Sequence, residues 1–187
     1  MEAIIISGMP AVGKTTLSKI IAGRLGLKSI GGGDILKEMA ADRGYSVTGE
    51  DWWDTSEGIK FLKEREANPD FDKEADRRLM KKIESGNIVI TSYTAPWISK
   101  QGFRIWLTGS PVNRAERMAK RDGIEFKDSE HVIRVRDEEN IKLYRRLYNI
   151  DFGRDTKPFE LVIDTNNKNP DEIANIIISE LKKRHDA

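Results

Sequence analysis

Gly8-Met9-Pro10-Ala11-Val12-Gly13-Lys14-Thr15 sets two glycines, a lysine and a hydroxyl at fixed offsets. The glycines allow positive φ, so that successive backbone N–H groups can turn round an anion. The lysine offers a charge for β- and γ-phosphates, and the threonine hydroxyl a ligand for Mg²⁺. This Gly-x4-Gly-Lys-Thr pattern, the Walker A loop, has that meaning between a strand and a helix, whose N-terminal dipole adds to the anion site. Both neighbours are legible. Ala3-Ile4-Ile5-Ile6-Ser7 is a β-branched apolar run, and Leu17, Ile20, Ile21 and Leu25 recur at helical spacing up to Gly26. The expectation is a bound nucleoside triphosphate, with Gly8, Pro10, Ala11, Val12, Gly13, Lys14, Thr15 and Thr16 at ATP. Lys14 is a catalytic candidate, Thr15 the metal ligand, and Thr16 a hydroxyl for the α-phosphate. The competing reading is a plain glycine turn with a solvated lysine, which the flanking strand and helix disfavour.

The rest of the chain must hold this loop in place. Lys28-Ser29-Ile30, Asn87 to Thr91, Phe103 to Leu107 and Leu161-Val162-Ile163 read as further short strands of the kind buried in a parallel sheet. Helices are expected from Ile35 to Asp42 with Asp34 as N-cap, and from about Asp72 to Ser85. Others run from Pro111 to before Gly123, from Ser129 to about Leu147, and from Pro170 to about Lys183. From Gly44 to about Asp70 no period is visible, which suggests an insert. Alternating strands and helices predict an α/β protein with right-handed crossovers. It is a P-loop NTPase three-layer fold, with a parallel five-stranded sheet flanked by helices and small acceptor-binding and lid inserts. One domain spans residues 1–187, with core segments 1–36, 86–120 and 131–187. The acceptor-binding insert covers about 37–85 and the lid about 121–130.

Composition narrows the classes. The 187 residues hold 32 basic and 31 acidic side chains, a net charge of +1, which argues against a long nucleic acid as partner. A small anionic ligand needs only a local positive pocket. With no cysteine there is no disulfide, thiolate metal site or cysteine nucleophile. No leader pattern follows Met1, and no window nears the roughly 18 apolar residues of a membrane span, so a cytoplasmic protein is expected. Oligomeric state is read only as monomer or small homo-oligomer.

Motor and switch proteins with this loop usually add a magnesium-binding carboxylate at the end of a strand. Here the strand runs into Thr91-Ser92-Tyr93, with none. A small-molecule kinase, which needs a second pocket and a basic lid, fits better.

At this point the chain resembles the nucleoside monophosphate kinases, and in particular the archaeal cytidylate kinase family. The likeness runs nearly end to end. It is carried by Ile4-Ile5-Ile6-Ser7-Gly8-Met9-Pro10, by Ile30-Gly31-Gly32-Gly33-Asp34-Ile35-Leu36-Lys37-Glu38-Met39-Ala40, and by the segment Asn68 to Arg78. Ile105-Trp106-Leu107, Arg114 to Gly123 and Tyr148-Asn149-Ile150-Asp151 follow in the same order. The resemblance implies a lid flanked by Arg114, Arg117, Arg121, Arg134 and Arg136. Of these, Arg117, Arg121 and Arg136 are the catalytic candidates, because phosphoryl transfer is mostly positioning and charge neutralisation. Arg117 and Arg121 lie four apart on one helical face, although any single arginine could instead be a solvated one paired with Glu116, Asp122 or Glu125.

It also implies that Arg136 and Asp137 touch phosphates and acceptor, and that Asn166, Asn167 and Lys168, after the last strand, cradle the ATP base, largely through backbone. Lys37 stands where relatives commonly have an arginine gripping the acceptor phosphate; it keeps the charge but loses the bidentate fork. Tyr93 cannot replace the missing charge after the third strand, so Arg43, Arg77 or Arg78 is expected to take more of the acceptor phosphate, with Trp97 nearby. Asp34 either helps magnesium through water or caps its helix. Trp52 and Trp53, beside carboxylates, either stack on the acceptor base or anchor the insert.

The expected reaction is Mg²⁺-dependent transfer of the ATP γ-phosphoryl group to CMP or dCMP. The alternatives are another acceptor (AMP, UMP or a small alcohol), an ATPase acting as an assembly factor on a ribonucleoprotein, or a nucleotide-binding module.

Overall fold

In the computed structural model the described residues are 1–48, 52, 55–68 and 70–186, with the side chains of 66, 185 and 186 also left aside. β1 (Ile4–Gly8) is the central strand, buried at every position. It pairs in parallel with β3 (Ile88–Thr91) on one side and β4 (Phe103–Thr108) on the other. β2 (Lys28–Gly31) and β5 (Leu161–Asp164) complete a five-stranded parallel sheet in the order β2-β3-β1-β4-β5.

Alternation along β1 sends its isoleucines to opposite faces, and a core forms on each. Ile4 and Ile6 pack with Leu17 and Ile21 of α1 (Lys14–Leu25) and with Ile173, Ile177 and Leu181 of α8 (Pro170–Asp186). Ile5 joins Ile35 and Met39 of α2 (Gly32–Asp42) and Leu79 and Ile83 of α4 (Asp70–Ser85). The expected three layers are present. A third cluster joins Trp106 to Ile150 and Phe152, with Tyr93 and Trp97 against it. Among the described residues no helix is long and apolar enough to cross a membrane.

The structure departs from the sequence reading in four places. α3 (Ser56–Ala67) is a helix in the segment read as aperiodic, capped by Thr55, whose hydroxyl accepts from the Gly58 N–H at 3.1 Å. Its inward positions are Gly58, Phe61, Leu62 and Arg65. A glycine and an arginine on the inner stripe hide the period that apolar side chains would have shown. A short helix, α5 (Ala95–Ile98), follows β3 and was not anticipated.

Asp34 is not the N-cap of α2. The helix starts at Gly32 with Gly31 as cap, and Asp34 reaches back from the third position to accept the Gly31 N–H at 2.7 Å. Finally, α7 (Phe126–Tyr148) begins three residues before the expected Ser129. α6 (Pro111–Asp122) ends at Gly123, φ +66°, so the expected lid segment is the junction of two helices. α7 lies along α6 through Ala115, Met118 and Ile133.

Candidate active site

The strand-to-helix turn after β1 has the backbone the glycines promise. Gly8 has φ +149° and Gly13 φ +100°, and Ala11 joins them at φ +60° without being glycine. At Gly8 space decides as well: a Cβ there would lie 2.5 Å from the Leu107 carbonyl oxygen. β1 and β4 approach too closely at that point for any side chain.

Inside the turn, the Lys14 ammonium donates to the carbonyls of Gly8 and Met9, both at 2.8 Å, and sits 4.6 Å from the centre of the Tyr93 ring. Burial, then Arg136 and Arg114, push its pKa down to about 7, with Asp137 opposing them. A desolvated cation held by two carbonyl dipoles and crowded by other cations gains most from an arriving phosphate. Thr15 and Thr16 are exposed at the helix start.

The turn is strutted from α6 and α7. Arg114, 3% exposed, makes a two-pronged pair with Asp137 at 2.9 and 2.6 Å, and also donates to the Pro10 carbonyl at 3.2 Å. Arg117 donates to the Val12 carbonyl at 3.3 Å and to the Thr165 hydroxyl and carbonyl at 2.9 and 2.5 Å. Arg121 is exposed and pairs with its neighbour Asp122 at 2.6 Å.

Two cavities meet at the turn, near the carboxyl ends of the strands where open parallel sheets bind ligands. One, of about 650 Å³, is lined by Ala11 to Leu17, Tyr93, Arg117, Arg121, Arg136 and Lys168. The other, of about 440 Å³, is lined by Gly32, Gly33, Arg65, Asp72, Asp76, Thr91 to Thr94, Asn140, Tyr144 and Tyr148. Lys14, Thr15 and Tyr93 line both. Both volumes lie in the usual range for small-molecule sites.

Set against the expected residues, the first cavity gathers the turn and all three arginines Arg117, Arg121 and Arg136. Asn166 is a correction. Its side-chain oxygen accepts from the Ser110 N–H at 2.8 Å and the Asn113 amide at 2.9 Å, tying β5 to α6, and of the expected segment it is Lys168 that lines the cavity. Asp137 is another: both its oxygens are engaged by Arg114, and it lines neither cavity.

Of the residues expected to hold the acceptor, Tyr93 lines both cavities, and the three arginines are engaged elsewhere. Arg43 donates to the Met39 carbonyl at 3.2 Å and stacks 4.3 Å over Phe71. Arg77 pairs with Glu74 at 2.7 Å, and Arg78 pairs with Glu74 at 3.0 Å and Asp42 at 2.5 Å. None of the three lines either of these two cavities, nor do Asp34 and Lys37 on α2. Helical geometry turns Arg77 and Arg78 away, because positions 72, 75, 76 and 79 form the inward face of α4.

Trp97 packs among Trp106, Phe152 and Phe159, with its indole N–H on Asp155 at 3.3 Å. Trp52 is 1% exposed against Phe61, so it anchors the insert and cannot stack on a base. Trp53 lies outside the described residues.

The arginine that does line the second cavity is Arg65, held by Asp72 at 3.1 and 2.7 Å. With Asp76, Tyr144 and Tyr148 it was missed. Arg65 sits on α3, which shows no period in the sequence, and the two tyrosines lie at and just past the expected end of the helix from Ser129 to about Leu147. Asp76 did leave a signal, a carboxylate on the stripe between Phe71 and Leu79 that otherwise packs inward.

A protein-family model described as an AAA domain matches residues 4–146. The cytidylate kinase of Pyrococcus horikoshii is 36% identical over 175 residues, covering 93% of this chain and 85% of that protein. The cytidylate kinase of Methanopyrus kandleri is 32% identical over 197 residues, covering 98% and 96%. In structure, a gluconokinase from Sinorhizobium meliloti superposes with a TM-score of 0.57 over 97% of this chain and 92% of its own, at 17% identity, a likeness of fold. A Walker A turn serving two adjoining cavities, in a chain alike to these kinases nearly end to end, belongs to the archaeal cytidylate kinase family.

Proposed function

We propose that this chain transfers the γ-phosphoryl group of ATP to CMP, and to dCMP, giving ADP and the diphosphate. The observation that carries the reading is that a donor-sized and an acceptor-sized cavity share the wall made by Lys14, Thr15 and Tyr93. ATP in the larger cavity and a monophosphate in the smaller would bring their phosphates together at Lys14.

A monophosphate oxygen attacks the γ-phosphorus in line as the bond to the β–γ bridging oxygen breaks, and the electron pair leaves on ADP. The acceptor oxygen is already anionic, so no base is needed. The work left to the protein is positioning and charge neutralisation. Lys14 exchanges its two carbonyl partners for phosphate oxygens. Arg136 and Arg121 add charge from the lid helices, and Arg117 does so while bracing the turn.

Magnesium fits the donors present. Among the described residues no group of three or more His, Asp or Glu could cage a metal. The exposed Thr15 hydroxyl, with phosphate oxygens and water, suits an ion that keeps several waters and takes few protein ligands. Bound there, it would offset charge on the β- and γ-phosphates. The cytoplasm, and a monomer or small homo-oligomer, complete the reading.

One panel tests it: purified protein with Mg-ATP and each of CMP, dCMP, UMP, AMP, GMP and shikimate, following ADP release. The expected result is turnover with CMP and dCMP far above the rest, abolished in Lys14→Ala. ADP release indifferent to every acceptor would refute the reading.

A further inference from the structure

α4 places Asp76 on the wall of the smaller cavity, half-buried, where the carboxylate has hydroxyls for partners. Oδ1 accepts from the Thr94 hydroxyl at 2.8 Å, and Oδ2 accepts from the Tyr148 hydroxyl. Burial pushes its pKa up from the ordinary carboxylate value, and the hydrogen bonds from Tyr148 and Thr94 work against that rise.

An ionised carboxylate is an acceptor only, with about four lone-pair positions, of which the two hydroxyls use two. What Asp76 therefore presents to the cavity is unspent acceptor capacity at a desolvated charge, and its chemical complement is an N–H donor. Arg65, on the same wall, supplies the opposite polarity, guanidinium N–H groups that suit ring carbonyl and imine acceptors. Cytosine has that mixed edge: an exocyclic amine that donates, beside N3 and O2 that accept. Uracil replaces the amine with a carbonyl oxygen.

Resting on the nucleoside monophosphate reading, we infer that Asp76 is the residue that selects cytosine over uracil, by accepting an N–H of the 4-amino group. Thr94 and Tyr148 hold the carboxylate, from the loop after β3 and from the end of α7. A purely structural Asp76 would only tie α4 to those two elements, and would leave base choice untouched.

The test is a cycle between protein and substrate that isolates this contact. The kcat/KM of wild type and Asp76→Asn is measured with CMP, UMP and the monophosphate of 2-pyrimidinone riboside, which lacks the amine. For the wild type, CMP should exceed the amine-free nucleotide by roughly 10- to 100-fold, the discrimination one base-edge contact supplies. In Asp76→Asn, whose amide can also donate to a carbonyl, the CMP-to-UMP ratio should fall at least about tenfold while the KM for ATP is unchanged.

A folded Asp76→Asn protein whose CMP-to-UMP ratio stays within about twofold of wild type would overturn the inference. If that variant does not fold, wild type decides alone: equal kcat/KM with CMP and the amine-free nucleotide overturns it. Either result, with CMP still turned over, leaves the kinase reading standing. Turnover with no nucleoside monophosphate at all would overturn both.

Discussion

Replacing Asp137 by Asn should destabilise the protein far more than a surface charge removal would, because it orphans Arg114. The Arg114 side chain is 3% exposed and that of Asp137 19%, with two hydrogen bonds between them and a third from Arg114 to the Pro10 carbonyl. Removing one partner of such a pair costs about 3–5 kcal/mol, chiefly from the charge left behind in a dry site. Water reaches Asp137, so the lower end applies, about 3 kcal/mol. At about 2–4 °C per kcal/mol for a chain of this length, the melting temperature should drop by about 6–12 °C.

The reverse change, Arg114→Met, strands the wetter partner and should cost less, about 1–2 kcal/mol. The double variant Arg114→Met/Asp137→Leu should recover to within about 1 kcal/mol of wild type, since apolar replacement of a whole buried pair is often neutral. Urea unfolding of all four proteins at one pH, with m-values compared, reads each cost and their coupling. A loss below about 1 kcal/mol for Asp137→Asn, or single costs that simply add, would refute the argument that burial makes this pair interdependent.

Two further outcomes follow from the same geometry. Arg65→Ala should raise the KM for CMP several-fold, whereas Arg77→Ala, which removes an exposed pair with Glu74, should leave it within about twofold; steady-state kinetics at saturating ATP separates them. At Glu160 burial opposes ionisation, but hydrogen bonds from the Arg104 side chain and backbone outweigh it and hold the carboxyl below its ordinary value. A depressed carboxylate pKa adds stability at neutral pH that is lost as pH falls through the folded-state value. Wild type should therefore lose stability faster than Glu160→Gln from about pH 5 to about pH 3, and parallel curves from urea melts would contradict it.

The local features of this protein were decided by short-range chemistry, and the chain shows them directly. β1 reads from five consecutive residues, since a strand buried on both faces has no polar position to confuse it. Gly8, Gly13, Lys14 and Thr15 read from their spacing, because the backbone of the turn needs those residue types wherever it occurs. The order of the strands along the chain, and with it the expectation of a parallel sheet, follows from the same local signals.

What tertiary structure alone decided is the company each charged side chain keeps. Ten arginines and lysines are plausible phosphate ligands by type. Only packing shows that Arg77 and Arg78 spend themselves on Glu74, that Arg114 is a strut for Pro10, and that Asp137 is its counter-ion. The smaller cavity draws residues 65, 72, 76, 140, 144 and 148 from three helices distant in the chain. Their convergence depends on how α3, α4 and α7 pack, which no local period records. A carboxylate such as Asp76 becomes informative only once its walls are known, because its meaning is set by what desolvates it and which hydroxyls reach it.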